Sequence, residues 1–227
     1  MTKGTVTIRR FDPARDSAPY WQTFSFTFQP GMTVLDVLLE IYQQQDATLS
    51  FQYCCRNGHC GLCGVMINGR PGMICRETAS AEMRLEPLAN LPVLRDLTVD
   101  RSEQDLRKQD LRLFLDRAEP YRGESAERID MEAFARFKRA ARCMECFCCV
   151  AVCPVFTARP HDFIGPAAFT QLARHFFDPR DEGRRKLTAL TNGLTACIRC
   201  GKCTDVCPHD AMPMENIIAM QEMAAKE

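Results

Sequence analysis

Residues 55–63 run Cys55-Arg56-Asn57-Gly58-His59-Cys60-Gly61-Leu62-Cys63, and a further cysteine follows at Cys75. Cysteines separated by four and then two residues, with a distant fourth, have the plant-type [2Fe–2S] spacing. Four thiolates must converge on two irons, three from one tight loop and one from a neighbouring strand. Gly58, Gly61 and Gly64 fall between and beside the ligands. A loop wrapped around a cluster turns sharply and aims backbone N–H groups at sulfur, and glycine permits both. Arg56 is either a surface residue or a contributor of charge to this site, and His59 either tunes it or ligates.

Two further runs lie downstream, and they are copies of each other. Cys143, Cys146, Cys149 and Cys153-Pro154 form the first; Cys197, Cys200, Cys203 and Cys207-Pro208 form the second. Both have the bacterial ferredoxin spacing, in which the fourth cysteine serves the other cluster. Three cysteines in a loop reach one cubane, and the next helical turn carries the fourth away. The expected sets are therefore Cys143, Cys146, Cys149 and Cys207 for one [4Fe–4S] cluster, and Cys153, Cys197, Cys200 and Cys203 for a third cluster. That third cluster is expected to be [4Fe–4S], or [3Fe–4S] if Cys200 is not a ligand. One Cys-x2-Cys pair could hold zinc, but three complete patterns point to clusters. Cys54 and Cys148 adjoin ligands and read as packing or supporting residues.

Composition agrees with this reading. The chain has 227 residues with 29 basic and 29 acidic side chains, so nothing in its charge calls for a nucleic-acid partner. Its 14 cysteines signify disulfides or metal. The start, Met1 to Arg10 and then Phe11-Asp12-Pro13, has no apolar run or cleavage site. A cytoplasmic location is expected, where thiols stay reduced and metal is favoured. No stretch reaches the ~18 apolar residues of a membrane span. No phosphate-binding loop, dinucleotide fingerprint or nucleophile elbow is present. His161, His175 and His209 read as surface or packing residues. The pattern is that of an electron relay whose organic chemistry occurs in partners.

The two halves differ in periodicity. Val6 and Ile8 alternate with polar residues, as do Phe24, Phe26 and Phe28, which predicts strands. Pro30-Gly31 is a turn, and Thr33 to Asp36 resembles a capping box opening a helix through Ile41, with Val34, Leu38 and Ile41 inward. Asn68-Gly69 predicts a hairpin. Leu91-Pro92 to Asp100 reads as a linker. Beyond it the pattern turns helical: Leu106, Leu113 and Phe114 near helix spacing, Phe134 and Phe137 leading into the cysteine run, Pro166 opening a helix to Phe177, and Glu215–Met223 with Met220 and Met223 packed inward. The basic run Arg184-Arg185-Lys186 reads as solvated surface.

With these motifs in place, the chain resembles the iron–sulfur subunit of the succinate dehydrogenase and fumarate reductase family (respiratory complex II) over nearly its whole length. The landmarks are residues 55–63 as quoted, Leu91-Pro92-Val93-Leu94-Arg95-Asp96-Leu97, and Phe163-Ile164-Gly165-Pro166-Ala167-Ala168. The resemblance implies an α+β chain: a β-grasp [2Fe–2S] ferredoxin domain over 1–100, then an all-helical bacterial-ferredoxin-like domain over 101–227. It implies a flavoprotein partner whose FAD interconverts succinate and fumarate, and a membrane anchor subunit that handles quinone. The chain would then lie on the cytoplasmic face of the membrane through its partners. It departs from the family in three places. Cys200 stands where many members lack a cysteine, Thr157 and Ala158 stand where quinone-linked members carry tryptophans, and Ile198 replaces a common histidine. Two other readings stay open: an electron-transfer adaptor of a soluble flavoprotein complex, with a different substrate or a thiol or ferredoxin-type exit partner, and a free ferredoxin.

Overall fold

A computed structural model of the chain describes residues 2–123 and 125–225. Alternation builds the first sheet. Strand β1 (Thr2–Arg10) buries Val6 and Ile8, and β2 (Tyr20–Phe28) buries Phe24 and Phe26 with Phe28 half-buried. The two run antiparallel, with Val6 opposite Phe24 and Gly4 opposite Phe26. A Cβ on Gly4 would lie 2.5 Å from the Phe26 ring, so this glycine makes room for the aromatic side chain. Strands β3 (Gly64–Ile67) and β4 (Arg70–Met73) form the expected hairpin. Asn68 and Gly69 both have positive φ, the conformation a tight two-residue turn demands. Strand β5 (Glu82–Glu86) pairs parallel to β1 and antiparallel to β3, giving the order β2-β1-β5-β3-β4.

Helix α1 (Val34–Gln44) contributes Val34, Leu35, Val37, Leu38 and Ile41 to the core of this mixed sheet. Its capping box is present in both halves: the Asp36 N–H donates to Thr33 Oγ1 at 3.2 Å, and the Thr33 N–H to Asp36 Oδ2 at 2.8 Å. The Val34 and Leu35 N–H groups donate to the Glu77 and Ile74 carbonyls at 2.9 Å each, which ties the helix start to the segment holding Cys75. The α+β, β-grasp expectation holds.

The stretch expected as a linker is instead packed. Strands β6 (Val93–Arg95) and β7 (Thr98–Val99) pair, and Leu91, Leu97 and Val99 are buried. Asp96, also buried, receives Arg10. The compact units also differ from a single cut at 100/101. One runs to Arg101 and takes in Met144–Val152; the other holds Ser102–Cys143 and the chain from Cys153 onward. The inserted segment is anchored in the first unit by buried Phe147 and by Asn90, whose Nδ2 donates to the Val150 carbonyl at 2.9 Å.

Helices α2 (Ser102–Asp110) and α3 (Met131–Ala140) precede the first repeat, and α4 (Cys148–Ala151) lies within it. Then come α5 (Pro154–Ala158), α6 (Pro166–Phe176), α7 (Arg185–Thr191), α8 (Lys202–Asp205) and α9 (Pro213–Ala225). Helix α6 is the hub of the second unit. Pro166 sits in its first turn, Pro166 through Ala173 are all buried, and α3, α7 and α9 pack on it.

Three local expectations are corrected here. Helix α2 ends at Asp110, so Leu113 and Phe114 lie beyond it, and Leu106 and Phe114 are exposed while Gln104 and Leu111 are buried. Met220 is buried as expected, but Met223 is 41% exposed. Arg185 is buried: its guanidinium pairs with Asp181 at 2.8 Å and donates to the carbonyls of Leu111, Arg112 and Phe114. A charge run does not reveal which member will find a buried carboxylate four residues back.

Candidate iron–sulfur centres

No two of the 14 cysteines, all of them among the described residues, are joined by a disulfide. In the first centre, Cys55 and Cys60 lie in the loop before β3, Cys63 ends that loop, and Cys75 follows β4. The hairpin brings the last two together, with Sγ atoms 3.3 Å apart. Thiolates sharing one tetrahedral metal at bonds of about 2.3 Å would be about 3.8 Å apart, so this pair fits one iron after a small adjustment. The N–H groups of His59 and Cys60 donate to Cys55 Sγ at 3.2 and 3.3 Å. With the Asn57 N–H as the strongest influence, they hold the Cys55 thiol down at about 6 against the effect of burial. This is the N–H cradle a negatively charged cluster requires. Burial pushes Cys63 the other way, up to about 12, with Cys75 and Cys60 adding repulsion. A coordinated metal reverses that balance, because it deprotonates its thiols outright.

The first cluster loop fits closely against the inserted segment of its own unit. Gly61 has φ +67°, and a Cβ there would lie 1.8 Å from the Met144 carbonyl oxygen; one on Gly64 would lie 2.8 Å from the Cys146 carbonyl oxygen. These are contacts between backbones that no side chain can enter. Arg56 is exposed, with its guanidinium 5.4 Å from the Tyr53 ring, and His59 and Cys54 are exposed too.

The repeat in the sequence is also a repeat in the backbone. Glu145 and Arg199, each just before the second cysteine of its run, have φ 52° and 56°; Phe147 and Gly201, each just after it, have φ 59° and 82°. A one-turn helix follows in both copies, α4 and α8. This left-handed, then left-handed, then helical course is common to both loops. Gly201 adopts it freely, whereas Phe147 bears a cost of about 1 kcal/mol and is retained as a buried anchor. Cys146 and Cys149 are buried in the first unit beside Cys148, which is fully buried. The Cys148 thiol, opposed by burial and helped by Arg101, holds Cys146 down at about 7. In the second unit, Gln171 Nε2 donates to the Cys143 carbonyl at 3.3 Å, and Cys207 Sγ accepts the Ala211 N–H at 3.3 Å.

Cys153, Cys197, Cys200 and Cys203 line a single cavity of the second unit, walled by Val155, Phe163, Ile198 and Ile217 among others. Cys153 caps α5, and its Sγ accepts the Phe156 N–H at 3.5 Å. Burial raises the thiols of Cys153, Cys197 and Cys203, the last to about 12, and each is raised further by neighbouring members of the set. Mutual repulsion of this kind is relieved by a shared cationic core. Cys203 is buried and Cys200 exposed. Among the described residues, no three His, Cys, Asp or Glu side chains gather tightly enough to hold a single ion; this set surrounds a cavity instead. Of the remaining histidines, His175 Nδ1 lies 3.3 Å from Asp181 and His161 is exposed. Among the described residues no helix is long and apolar enough to cross a membrane.

Comparison with known proteins agrees with this geometry. Residues 5–105 match the 2Fe-2S iron-sulfur cluster binding domain, and residues 139–211 match the 4Fe-4S dicluster domain. The chain is 34% identical, over 94% of its length and 89% of the relative's, to the fumarate reductase iron-sulfur subunit of Mycobacterium tuberculosis. It is also 34% identical, over 98% of its length, to one of the subunits of the fumarate reductase (CoM/CoB) of Methanothermobacter marburgensis, but spans only 44% of that protein. A chain of the Mycobacterium smegmatis Sdh1 complex in the apo form superposes with a TM-score of 0.86 at 28% identity, covering 98% of this chain and 95% of that one. The chain belongs to the family of iron–sulfur subunits that carry electrons in succinate dehydrogenases and fumarate reductases.

Proposed function

We propose that this chain relays single electrons between the FAD of a flavoprotein subunit and a membrane quinone site, within a succinate:quinone oxidoreductase or fumarate reductase complex. The observation that carries this is the presence of three complete cysteine sets in a chain that aligns with a family member over 94% of its length. Cys55, Cys60, Cys63 and Cys75 hold a [2Fe–2S] cluster; Cys143, Cys146, Cys149 and Cys207 hold a [4Fe–4S] cluster, assigned on their spacing. Cys153, Cys197, Cys200 and Cys203 hold the third. The cavity shared by all four thiols supports [4Fe–4S] there over [3Fe–4S]. A flavin exchanges electrons in pairs, and one-electron clusters divide the pair. The chain itself has no catalytic residue, works as the non-catalytic subunit of the complex, and reaches the cytoplasmic face of the membrane through an anchor subunit.

A second reading keeps the flavoprotein side and changes the exit: a soluble complex with a thiol or ferredoxin-type acceptor. It is favoured by Thr157, Ala158 and Ile198 at places where quinone-linked members differ, and by the similarity to a fumarate reductase named for CoM/CoB.

The native complex, purified without oxygen, tests the first reading. Succinate should bleach the clusters and change their EPR spectra, and fumarate should restore them. Clusters that dithionite reduces but succinate does not, in an FAD-loaded complex, would reject a succinate or fumarate flavoprotein partner.

A further inference from the structure

Arg101 lies where the first unit's two cluster-bearing loops meet. Its Nη1 donates to the carbonyl of Gly61, between Cys60 and Cys63, at 3.2 Å. Its Nη2 donates to the carbonyl of Glu145, between Cys143 and Cys146. The guanidinium also sits over the Phe147 ring, 4.4 Å from its centroid. One side chain thus grips the [2Fe–2S] loop, the loop carrying Cys146, and the aromatic anchor of that loop. The grip falls where the backbones touch, since the Cβ missing from Gly61 would overlap the Met144 carbonyl.

Two consequences follow from elementary chemistry. A planar guanidinium donating in two directions fixes the relative position of the two carbonyls, which an ammonium does less well. Electron tunnelling falls steeply with distance, so a fixed separation between the loops fixes the rate of the hop between their clusters. The guanidinium also keeps its charge at every working pH. Clusters bound by four thiolates are anionic and become more so on reduction. A permanent cation beside both therefore favours both reduced forms, and its field is strongest where water is excluded.

We propose that Arg101 is a positioning residue for electron transfer: it fixes the gap between the [2Fe–2S] loop and the Cys146 loop and raises the reduction potentials of both clusters. The inference rests on the ligand sets assigned above.

The test is a redox titration followed by EPR on the holo-complex, comparing wild type with Arg101→Met and Arg101→Lys. Arg101→Met should lower the midpoint potentials of the [2Fe–2S] cluster and of the cluster ligated by Cys146, and leave the third cluster's unchanged. Arg101→Lys should recover most of that shift, while the electron hop between the two clusters stays slower than in wild type. Wild-type potentials in Arg101→Met, or an equal shift at all three clusters, would overturn the proposal. So would potentials in Arg101→Lys as low as in Arg101→Met. If Arg101→Met does not assemble, Arg101→Gln, neutral but still a donor, takes its place with the same expected outcomes. Failure of the ligand assignment looks different: the wild-type protein would then lack the [2Fe–2S] and cubane signals, whereas failure of the Arg101 inference leaves them present with unmoved potentials.

Discussion

Arg10 Nε donates to Asp96 Oδ1 at 3.0 Å across 86 residues of sequence, and both side chains are buried. The same guanidinium donates to Asp46 and Gln22 at 2.6 Å and to Thr48 at 3.1 Å, while Asp96 also accepts the N–H groups of Phe11 and Ser50. This one network ties the end of β1, the loop leading to the [2Fe–2S] cysteines, and the β6–β7 hairpin. Removing one partner of a buried pair strands the other, at a cost of about 3–5 kcal/mol. Asp96→Ala should lower the first unit's stability by about that amount, seen as earlier loss of [2Fe–2S] absorbance on heating. A change of a few degrees at most would mean that Asp46 alone suffices for Arg10.

Acid should reach the same network through Asp46. Burial raises that carboxyl, but hydrogen bonds from Arg10 and Thr48 outweigh it and hold it at about 2, against an ordinary 3.8. A carboxyl held low in the folded state stabilises it above its unfolded pKa, and that contribution disappears as pH falls through the folded value. The stake is about 2 kcal/mol, fully present above about pH 4 and lost towards pH 2. Asp46→Asn should flatten this part of the pH–stability curve, measured by denaturant unfolding at stepped pH. A mutant curve as steep as wild type would assign the acid sensitivity to other groups.

The contrast between these networks and the strands explains what the sequence could reveal. Alternation at Val6, Ile8, Phe24 and Phe26, the Thr33–Asp36 cap and the Asn68-Gly69 turn are local signals, and each structure they predict is present. The candidate ligands stand out in the sequence because cluster chemistry fixes their spacing. Asp96 and Arg185 gave no such sign, because each is buried by a partner that only the fold supplies. The segment 91–100 looked like a linker for that reason: its charges hid a packed hairpin. Phe114 and Met223 sit at plausible helical intervals, yet the helix ends first in one case and the side chain faces outward in the other.

Gly61→Ala probes the contact between the first cluster loop and the inserted segment. The new methyl would lie 1.8 Å from a carbonyl oxygen and would sit on a φ of +67°. Backbone on both sides must move, and the left-handed conformation alone costs about 1 kcal/mol for a residue with a Cβ. The expected result is loss of most of the [2Fe–2S] EPR signal, with the third cluster's signal retained, because Cys153, Cys197, Cys200 and Cys203 line a cavity within the other unit. A full [2Fe–2S] signal in the purified variant would show that the loop can move away from Met144 without cost to its cluster.

In the proposed ligand set Cys200 would decide between a [4Fe–4S] and a [3Fe–4S] third cluster, and its exposure makes it the position to change. Cys203 and Cys153 are buried in the cavity wall, but Cys200 lies at the solvent side of the set. An iron held by Cys200 would be the corner that water reaches first, so weakening that one bond should free that one iron. Cys200→Ser should convert a [4Fe–4S] cluster to a three-iron or labile form. Iron content should fall by about one atom per chain, a new EPR signal should appear in the oxidised protein, and the [2Fe–2S] signal should stay intact. A parallel Cys148→Ser variant controls for loss of any buried thiol, since Cys148 is fully buried and not assigned as a ligand; it should keep all three clusters. Unchanged iron and spectra in Cys200→Ser would remove Cys200 from the ligand set and leave a [3Fe–4S] cluster on Cys153, Cys197 and Cys203.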